Sequence, residues 1–288
     1  MKVLMTGAGG QVGRALSAAT PREVELLACS HAELDIGNES VVAEKVGAFR
    51  PDVIINAAAY TAVDRAESDV ELARRNNTEG PRHLAIAARQ AGARLIHIST
   101  DFVFDGRSST PYRPDSPTAP VNVYGTTKRD GEQAVLETMP GRAVVLRTAW
   151  VYGAEGGNFL RTMLRVMGTK GAARVVADQV GTPTSTRSLA DVIWRIAPQP
   201  ALAGIHHWTD AGVASWYDFA VAIAEEGSLL GLLPADVKVT PIATHEYPTP
   251  ARRPSYSVLD KSSLTALGMQ PVHWRKQLRA VLGEMRDA

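Results

Sequence analysis

One cysteine, Cys29, in 288 residues leaves no partner for an intrachain disulfide and no cysteine set for a zinc site. The chain suits a reducing compartment, and the cytoplasm is the expected location. Charge of either sign is not in excess either, with 31 Lys+Arg against 30 Asp+Glu and a net charge of +1. No general field draws nucleic acid or an anionic membrane, so neither is an expected partner, and an anionic ligand needs a local cluster of cations. Apolar runs are short: none approaches the roughly 18 residues of a membrane span. After Lys2 only Val3, Leu4 and Met5 precede Thr6-Gly7, so no signal-peptide core is expected. Internal repeats and low-complexity tracts are absent as well. What is present is a hydrophobic fraction of 45%, enough for a substantial core in one large or two modest domains.

The first apolar run ends in Gly7-Ala8-Gly9-Gly10-Gln11-Val12-Gly13, and Arg14 to Ala19 reads as helix. Strand, glycine turn and helix together place backbone N–H groups and a positive helix end against a pyrophosphate. Gly7 serves a tight turn, Gly10 close approach of phosphates, and Gly13 close packing of helix on strand. Their G-x-x-G-x-x-G spacing points to the short-chain dehydrogenase/reductase type of dinucleotide fold.

Val24 to Cys29 is the next expected strand, ending in Ser30-His31 where an NAD-preferring fold places an acid for the ribose 2′-hydroxyl. With no acid at that point, Arg14, Ser30 and His31 are candidate ligands for a 2′-phosphate, which favours NADPH and leaves NADH possible; Arg14 is equally a solvated helix residue. Asp35-Ile36 is placed to bracket the adenine edge. Val53-Ile54-Ile55 is a buried strand followed by Asn56 and the small residues Ala57, Ala58 and Ala59, which let a cofactor come close to the backbone.

Leu95 to Ile98 is a further strand and ends in Ser99-Thr100-Asp101-Phe102. Tyr124 and Lys128 stand four residues apart at the start of an expected helix, so phenol and ammonium share one face and the cation can lower the phenol's pKa. By itself this pair is equally compatible with a solvated helix surface. Thr100, 24 residues upstream of Tyr124, belongs to the same sheet edge. A hydroxyl, a phenol and an ammonium converging there can hold and protonate a carbonyl oxygen. Four prolines between Pro111 and Pro120 make the intervening segment a loop bordering the site.

After Trp150 the strand–helix alternation is lost. Phe159, Met163, Leu164 and Met167 recur at helical spacing, Asn158 and Ser215 are candidate helix caps, and Thr186 to Ile196 reads as helix. His206 and His207 are neighbours that point to opposite sides of a strand, no histidine spacing fits a ligand set, and no catalytic metal is expected.

The glycine motif, Asn56 to Ala59, Ser99 to Phe104, and Tyr124 with Lys128 resemble the extended short-chain dehydrogenase/reductases. Arg147-Thr148-Ala149-Trp150, Asp178 to Thr184 and Pro250-Ala251-Arg252-Arg253-Pro254 are similar to the dTDP-4-dehydrorhamnose reductases among them. The resemblance runs from Val3 to about Glu284. It implies an α/β fold: a Rossmann-type doubly wound parallel sheet with a smaller interleaved α+β substrate domain. The implied division is 1–150 and 172–212 for the dinucleotide, 151–171 and 213–288 for the substrate.

It also implies NADPH-dependent reduction of the 4-keto group of dTDP-4-dehydro-L-rhamnose to dTDP-L-rhamnose. Tyr124 is then the general acid, Lys128 the phenolate stabiliser and ribose ligand, and Thr100 the residue that holds the carbonyl oxygen. Asp101, Phe102, Trp150, Gln179 and Arg253 fall on substrate positions, with Arg252 and Arg253 the nearest cations for a diphosphate. Alternatives are another dTDP-4-keto-deoxysugar as substrate, or a non-catalytic regulatory subunit on the same fold. Some family members pair through magnesium held by carboxylates; here Ala15 and Arg187 occupy two of those positions and only Glu284 remains. A monomer or a metal-independent homodimer is expected.

Overall fold

A computed structural model describes residues 1–287. Six strands, β1 (Lys2–Thr6), β2 (Glu25–Cys29), β3 (Val53–Asn56), β4 (Arg94–Thr100), β5 (Ala143–Thr148) and β6 (Gly204–His207), form one all-parallel sheet in the order β2-β1-β3-β4-β5-β6. Helices cover both faces: α1 (Gln11–Ala18), α2 (Glu39–Phe49), α3 (Gly80–Ala91), α4 (Val123–Thr138), α5 (Phe159–Lys170), α6 (Thr186–Ile196), α7 (Trp216–Leu229) and α8 (Trp274–Asp287) are the long ones. The doubly wound fold expected from the sequence is the one observed.

Two-residue alternation sorts the strands' side chains. Val3, Met5, Val53, Ile55, Ile96, Val144 and Leu146 share one core with Leu16 of α1 and Leu189 and Ile193 of α6. Leu4, Ile54, Leu95 and Val145 face the other way, against α2, α3 and α4. A sheet buried on both faces explains why these strands read as continuous apolar runs. Strand order reverses at β1 and β3, and the glycine turn and Ala57–Ala59 lie together at that reversal, where ligands of such sheets bind.

A second core gathers Tyr152 of the short strand Val151–Tyr152 with Leu160, Phe219, Ile223, Trp274 and Leu278 from α5, α7 and α8. The block 172–212 expected on the sheet side divides between the two. Strand Ala172–Val176 pairs with Lys238–Ile242 and sends Ala173 and Val175 into the second core, whereas α6 and β6 join the large sheet. Beyond 213 the chain also returns, with Leu264 and Met269 in the sheet's core. Among the described residues no helix is long and apolar enough to cross a membrane.

The helical stretch before α3 is broken by a wide π turn at Arg75–Glu79. Pro81, just inside α3, has no N–H to return to the Asn77 carbonyl. Gly131 of α4 packs on that carbonyl so closely that a Cβ would stand 2.0 Å from it. Gly125 approaches the Phe102 carbonyl in the same way, at 2.2 Å, which draws the start of α4 onto the end of β4. Gly131→Ala must push α4 outward and is expected to lower the unfolding free energy by about 1–3 kcal/mol in urea titrations. A change under about 0.5 kcal/mol would show that the approach is not tight.

Candidate active site

Asn122 starts α4 by accepting from the Gly125 N–H at 2.7 Å, and its own amide donates to the Arg252 carbonyl. The cap sets Tyr124 on the first turn, edge-on to Phe102 at 5.5 Å between ring centroids, and Lys128 one turn deeper. The two face a cleft of about 700 Å³ that also takes in Thr100, Asp101, Phe102, Trp150, Gly10, Gln11, Val12, Ala57 and Ala59. Gly7 and Gly13 shape the wall behind. Gly7 has φ +74° and its Cβ would meet Ala57 and Ala58 at 2.6 Å; a Cβ on Gly13 would stand 2.2 Å from the Gly7 carbonyl. Gly10 caps α1 with no side-chain hydrogen bond, which leaves the first N–H groups of the helix open to an anion. Ala58 turns toward the opposite core.

The Tyr124–Lys128 pairing differs from expectation. Burial pushes the Tyr124 phenol up to about 12, the Thr100 hydroxyl pulls it down, and the charge of Asp101 pushes it up again; Lys128 is not among the causes. The Lys128 ammonium is instead spent on the Ile98 carbonyl at 2.8 Å. Burial lowers Lys128 to about 8, against the raising influence of Glu132 one turn on. Glu132 in turn holds Arg147 through two hydrogen bonds at 2.9 and 2.7 Å in the interior.

The nucleotide-end residues are spread out. Arg14 donates to the Gly9 carbonyl and pairs with Glu155 at 2.9 Å, in a loop that Gln11 also holds through Gly157 and Asn158. Ser30 gives both its N–H and its hydroxyl to Glu33, so an acid from three residues on returns to the β2 end where the sequence has none. Asp35 is bound to Arg75, and Ile36 is buried between α2 and α3 with its carbonyl 3.0 Å from His83 Nδ1, so its side chain and carbonyl are both engaged. Arg253 forms a two-point pair with Asp64 at 2.8 and 3.1 Å, and Gln179 donates to Thr244. Both line an adjoining slot of about 310 Å³ with Tyr247, Phe159 and Trp216, while Arg252 is exposed.

Several features of the cleft carried no signal in the sequence. Trp216 of α7, which packs on the second core, stacks flat on Trp150 at 3.5 Å, and Trp150 packs on a small cluster of Val103, Phe104 and Leu259. Trp150 itself has φ +49°, a left-handed backbone rare for a side chain of that size. The hydroxyls of Ser99 and Thr148 and one carboxyl oxygen of Asp101 are buried without a hydrogen-bond partner. Ala15, Arg187 and Glu284 do meet in space, where Arg187 pairs with Glu284 at 2.8 Å. No cluster of three His, Cys, Asp or Glu side chains suited to a metal occurs among the described residues.

Burial raises Asp101 to about 6, with the Ser257 and Thr100 hydroxyls only partly offsetting it. Between the ordinary carboxyl value and that one, the folded state binds more protons than the unfolded, so this carboxyl's contribution to stability declines as pH rises through the interval. Asp101→Asn has no such titration. Relative to wild type, the variant is expected to gain on the order of 2 kcal/mol in urea unfolding between pH about 4 and about 7. A difference that is flat with pH would mean Asp101 is not held in a desolvated place.

The family described as RmlD substrate binding domain matches residues 1–287. The chain is 45% identical over 281 residues to a dTDP-4-dehydrorhamnose reductase of Streptomyces griseus, covering 96% of this chain and 91% of that one. It is 45% identical over 292 residues to a probable dTDP-4,6-dihydroxy-2-methyloxan-3-one 4-ketoreductase of Streptomyces antibioticus, covering 100% and 97%. A crystal structure of the dTDP-4-dehydrorhamnose reductase of Bacillus anthracis in complex with NADP superposes with TM-score 0.92 at 37% identity, covering 98% of this chain and 99% of that one. The cleft and these full-length matches agree, and the chain belongs to the RmlD substrate binding domain family, the dTDP-4-dehydrorhamnose reductases among the extended short-chain dehydrogenase/reductases.

Proposed function

We propose that this cleft reduces the 4-keto group of dTDP-4-dehydro-L-rhamnose to give dTDP-L-rhamnose, with NADPH preferred and NADH accepted. One observation carries the reading: Thr100, Tyr124 and Lys128 line the same cleft as the open N-terminus of α1 and the aromatic face of Trp150. The residues fit a dinucleotide, because Gly7 and Gly13 let the turn pack against Ala57, Ala58 and α1 where no Cβ has room, and Gly9 to Val12 line the cleft beside the open first turn of α1. When bound, that cofactor supplies the hydride.

The chain's own groups handle the proton. A phenol held protonated well past neutrality by burial is an acid in reserve, and it releases its proton only when hydride addition turns the 4-oxygen into a strong base. Thr100, whose hydroxyl now donates to Asp101 at 3.0 Å, turns to hold that oxygen. Lys128 stabilises the phenolate left behind and would hold the nicotinamide ribose. Asp101, Phe102 and Trp150 enclose the sugar, while Gln179 and Arg253 border the slot that suits the nucleotide end.

Likeness to the Streptomyces antibioticus ketoreductase favours a second reading, another dTDP-4-keto-deoxysugar as substrate, with the same proton chemistry. We further infer a cytoplasmic enzyme that is monomeric or dimeric without metal, since Glu284 is already engaged by Arg187.

Loss of reduced-nicotinamide absorbance with freshly generated dTDP-4-dehydro-L-rhamnose tests the activity. No oxidation of either cofactor with that sugar, but turnover of another dTDP-4-keto sugar, would transfer the assignment to the second reading. Tyr124→Phe is expected to lower kcat by about 10²–10⁴-fold with NADPH affinity nearly unchanged. Turnover close to wild type in that variant would remove Tyr124 from the role of acid.

A further inference from the structure

Beneath Lys128, three polar side chains stand in a row across three adjacent strands. Thr6 of β1 is the register partner of Asn56 of β3, and Asn56 is the register partner of His97 of β4. All three are buried, and two-residue alternation places them on the face of Leu4, Ile54 and Leu95, the face that α4 covers. A buried polar row in an apolar layer is costly unless each group is satisfied.

Hydrogen bonds along the row fix the protons. Asn56 Oδ1 accepts from the Ala58 N–H at 3.1 Å and from the Thr6 hydroxyl at 2.7 Å. A backbone N–H can only donate, so the amide orientation is determined and Asn56 Nδ2 is the atom that faces His97 Nδ1 at 3.0 Å. The amide nitrogen donates, therefore Nδ1 accepts. The single proton of the neutral His97 ring then lies on Nε2, which is 3.4 Å from Lys128 Nζ.

That arrangement sets a donor against an ammonium. A charged Lys128 finds an acceptor in the Ile98 carbonyl but none in His97, whereas a neutral amine can accept from the Nε2–H. The ring cannot relieve the conflict by moving its proton from Nε2 to Nδ1, because Nδ1 already accepts from the Asn56 amide.

We infer that His97, locked by Asn56 with its proton on Nε2, is a positioning residue that makes Lys128 surrender its proton more readily than a lysine facing an acceptor would. The inference rests on the assignment of Lys128 to the reducing cleft. It keeps both protonation states of that lysine accessible near working pH, the charged one being the state that stabilises a phenolate.

Other groups facing Lys128 act in known directions. On its own helix Tyr124 lies one turn before and Glu132 one turn after; Glu132 favours the ammonium, tempered by its pairing with Arg147 of β5. Past the end of β4, Asp101 acts on Tyr124. From β3 only the uncharged Asn56 contributes to the row. Burial lowers both Lys128 and His97, the latter well below the usual histidine range with the Lys128 charge adding to it, in keeping with a neutral ring under a readily deprotonated amine.

Nuclear magnetic resonance on the isotope-labelled full chain, without cofactor or sugar, tests this directly. Long-range proton–nitrogen spectra report the His97 tautomer, and the lysine Cε shift, assigned by its loss in Lys128→Met, reports the Lys128 titration. The expected result is the Nε2–H tautomer in the native chain. Asn56→Ala removes the amide donor without adding charge, frees His97 to offer its Nε2 lone pair, and should move the Lys128 titration alkaline by about one unit, or tenfold in proton affinity.

Asn56→Ser keeps a polar group for Thr6 and Ala58 while withdrawing from His97, and serves if the alanine variant does not fold. An Nδ1–H tautomer in the native chain, or a Lys128 titration that stays in place or moves to lower pH in the variant that folds, overturns the inference. Since no sugar is present, failure of the native enzyme to reduce the sugar bears only on the functional reading.

Discussion

A lysine ammonium shut away from water is costly, and the surroundings of Lys128 are arranged to make it tolerable. An unpaired charge moved into the interior loses several kcal/mol of solvation. Only one direct acceptor is supplied, the Ile98 carbonyl, with the carboxylate of Glu132 a turn away and already shared with Arg147. Lys128 also lines the cleft, where a ligand can meet the remaining donors of the ammonium. A surface lysine would have water for all three and no reason to engage a ligand.

Holding that lysine requires α4 to lie unusually close to its neighbours, and the two close approaches have different origins. Gly125 sits on the Phe102 carbonyl, so the turn that carries Thr100 and Asp101 is fixed relative to Tyr124. Gly131 sits on the Asn77 carbonyl, which Pro81 leaves without its helical partner; Asn77 and Thr78 also reach the next turn of α4 through Thr127. The π turn thus positions the lysine from behind. Side chains larger than hydrogen at either glycine would separate donor from acceptor by the fraction of an ångström on which proton transfer depends.

Much of this was legible in the sequence, and the reasons for success and failure are physical. Local signals survive into the structure: Asn158 and Ser215 do cap α5 and α7, and the glycine turn lies between β1 and α1 as its spacing requires. Such features depend on a few adjacent residues. Illegible are contacts between distant segments, because nothing in a single chain reports them: the Trp150–Trp216 stack, the Asp64–Arg253 pair and the row Thr6, Asn56 and His97. Glu33 shows the intermediate case. Its place three residues after Ser30 is visible, but that its carboxylate folds back to the β2 end follows from the geometry of the turn.

On the proposed reading, chemistry and recognition are carried by different parts of the molecule, which bears on how the family can vary its substrates. Thr100, Tyr124 and Lys128 all lie on β4 and α4, whose packing is set by backbone contacts and a buried ion pair. The walls that would meet the sugar ring and nucleotide come from the strained residue Trp150, from α5 and α7, and from loops around Gln179, Tyr247 and Arg253. Substitution there leaves the proton end untouched, whereas a change at Gly125 or Glu132 disturbs it from a distance. The left-handed backbone at Trp150 costs on the order of 1–3 kcal/mol and is held in place by a flat stack on Trp216, a residue of the other core. A shift of the second core against the cluster around Val103 and Phe104 must break or slide that stack, so the ring of Trp150 that lines the cleft and the placement of the second core are coupled through one contact.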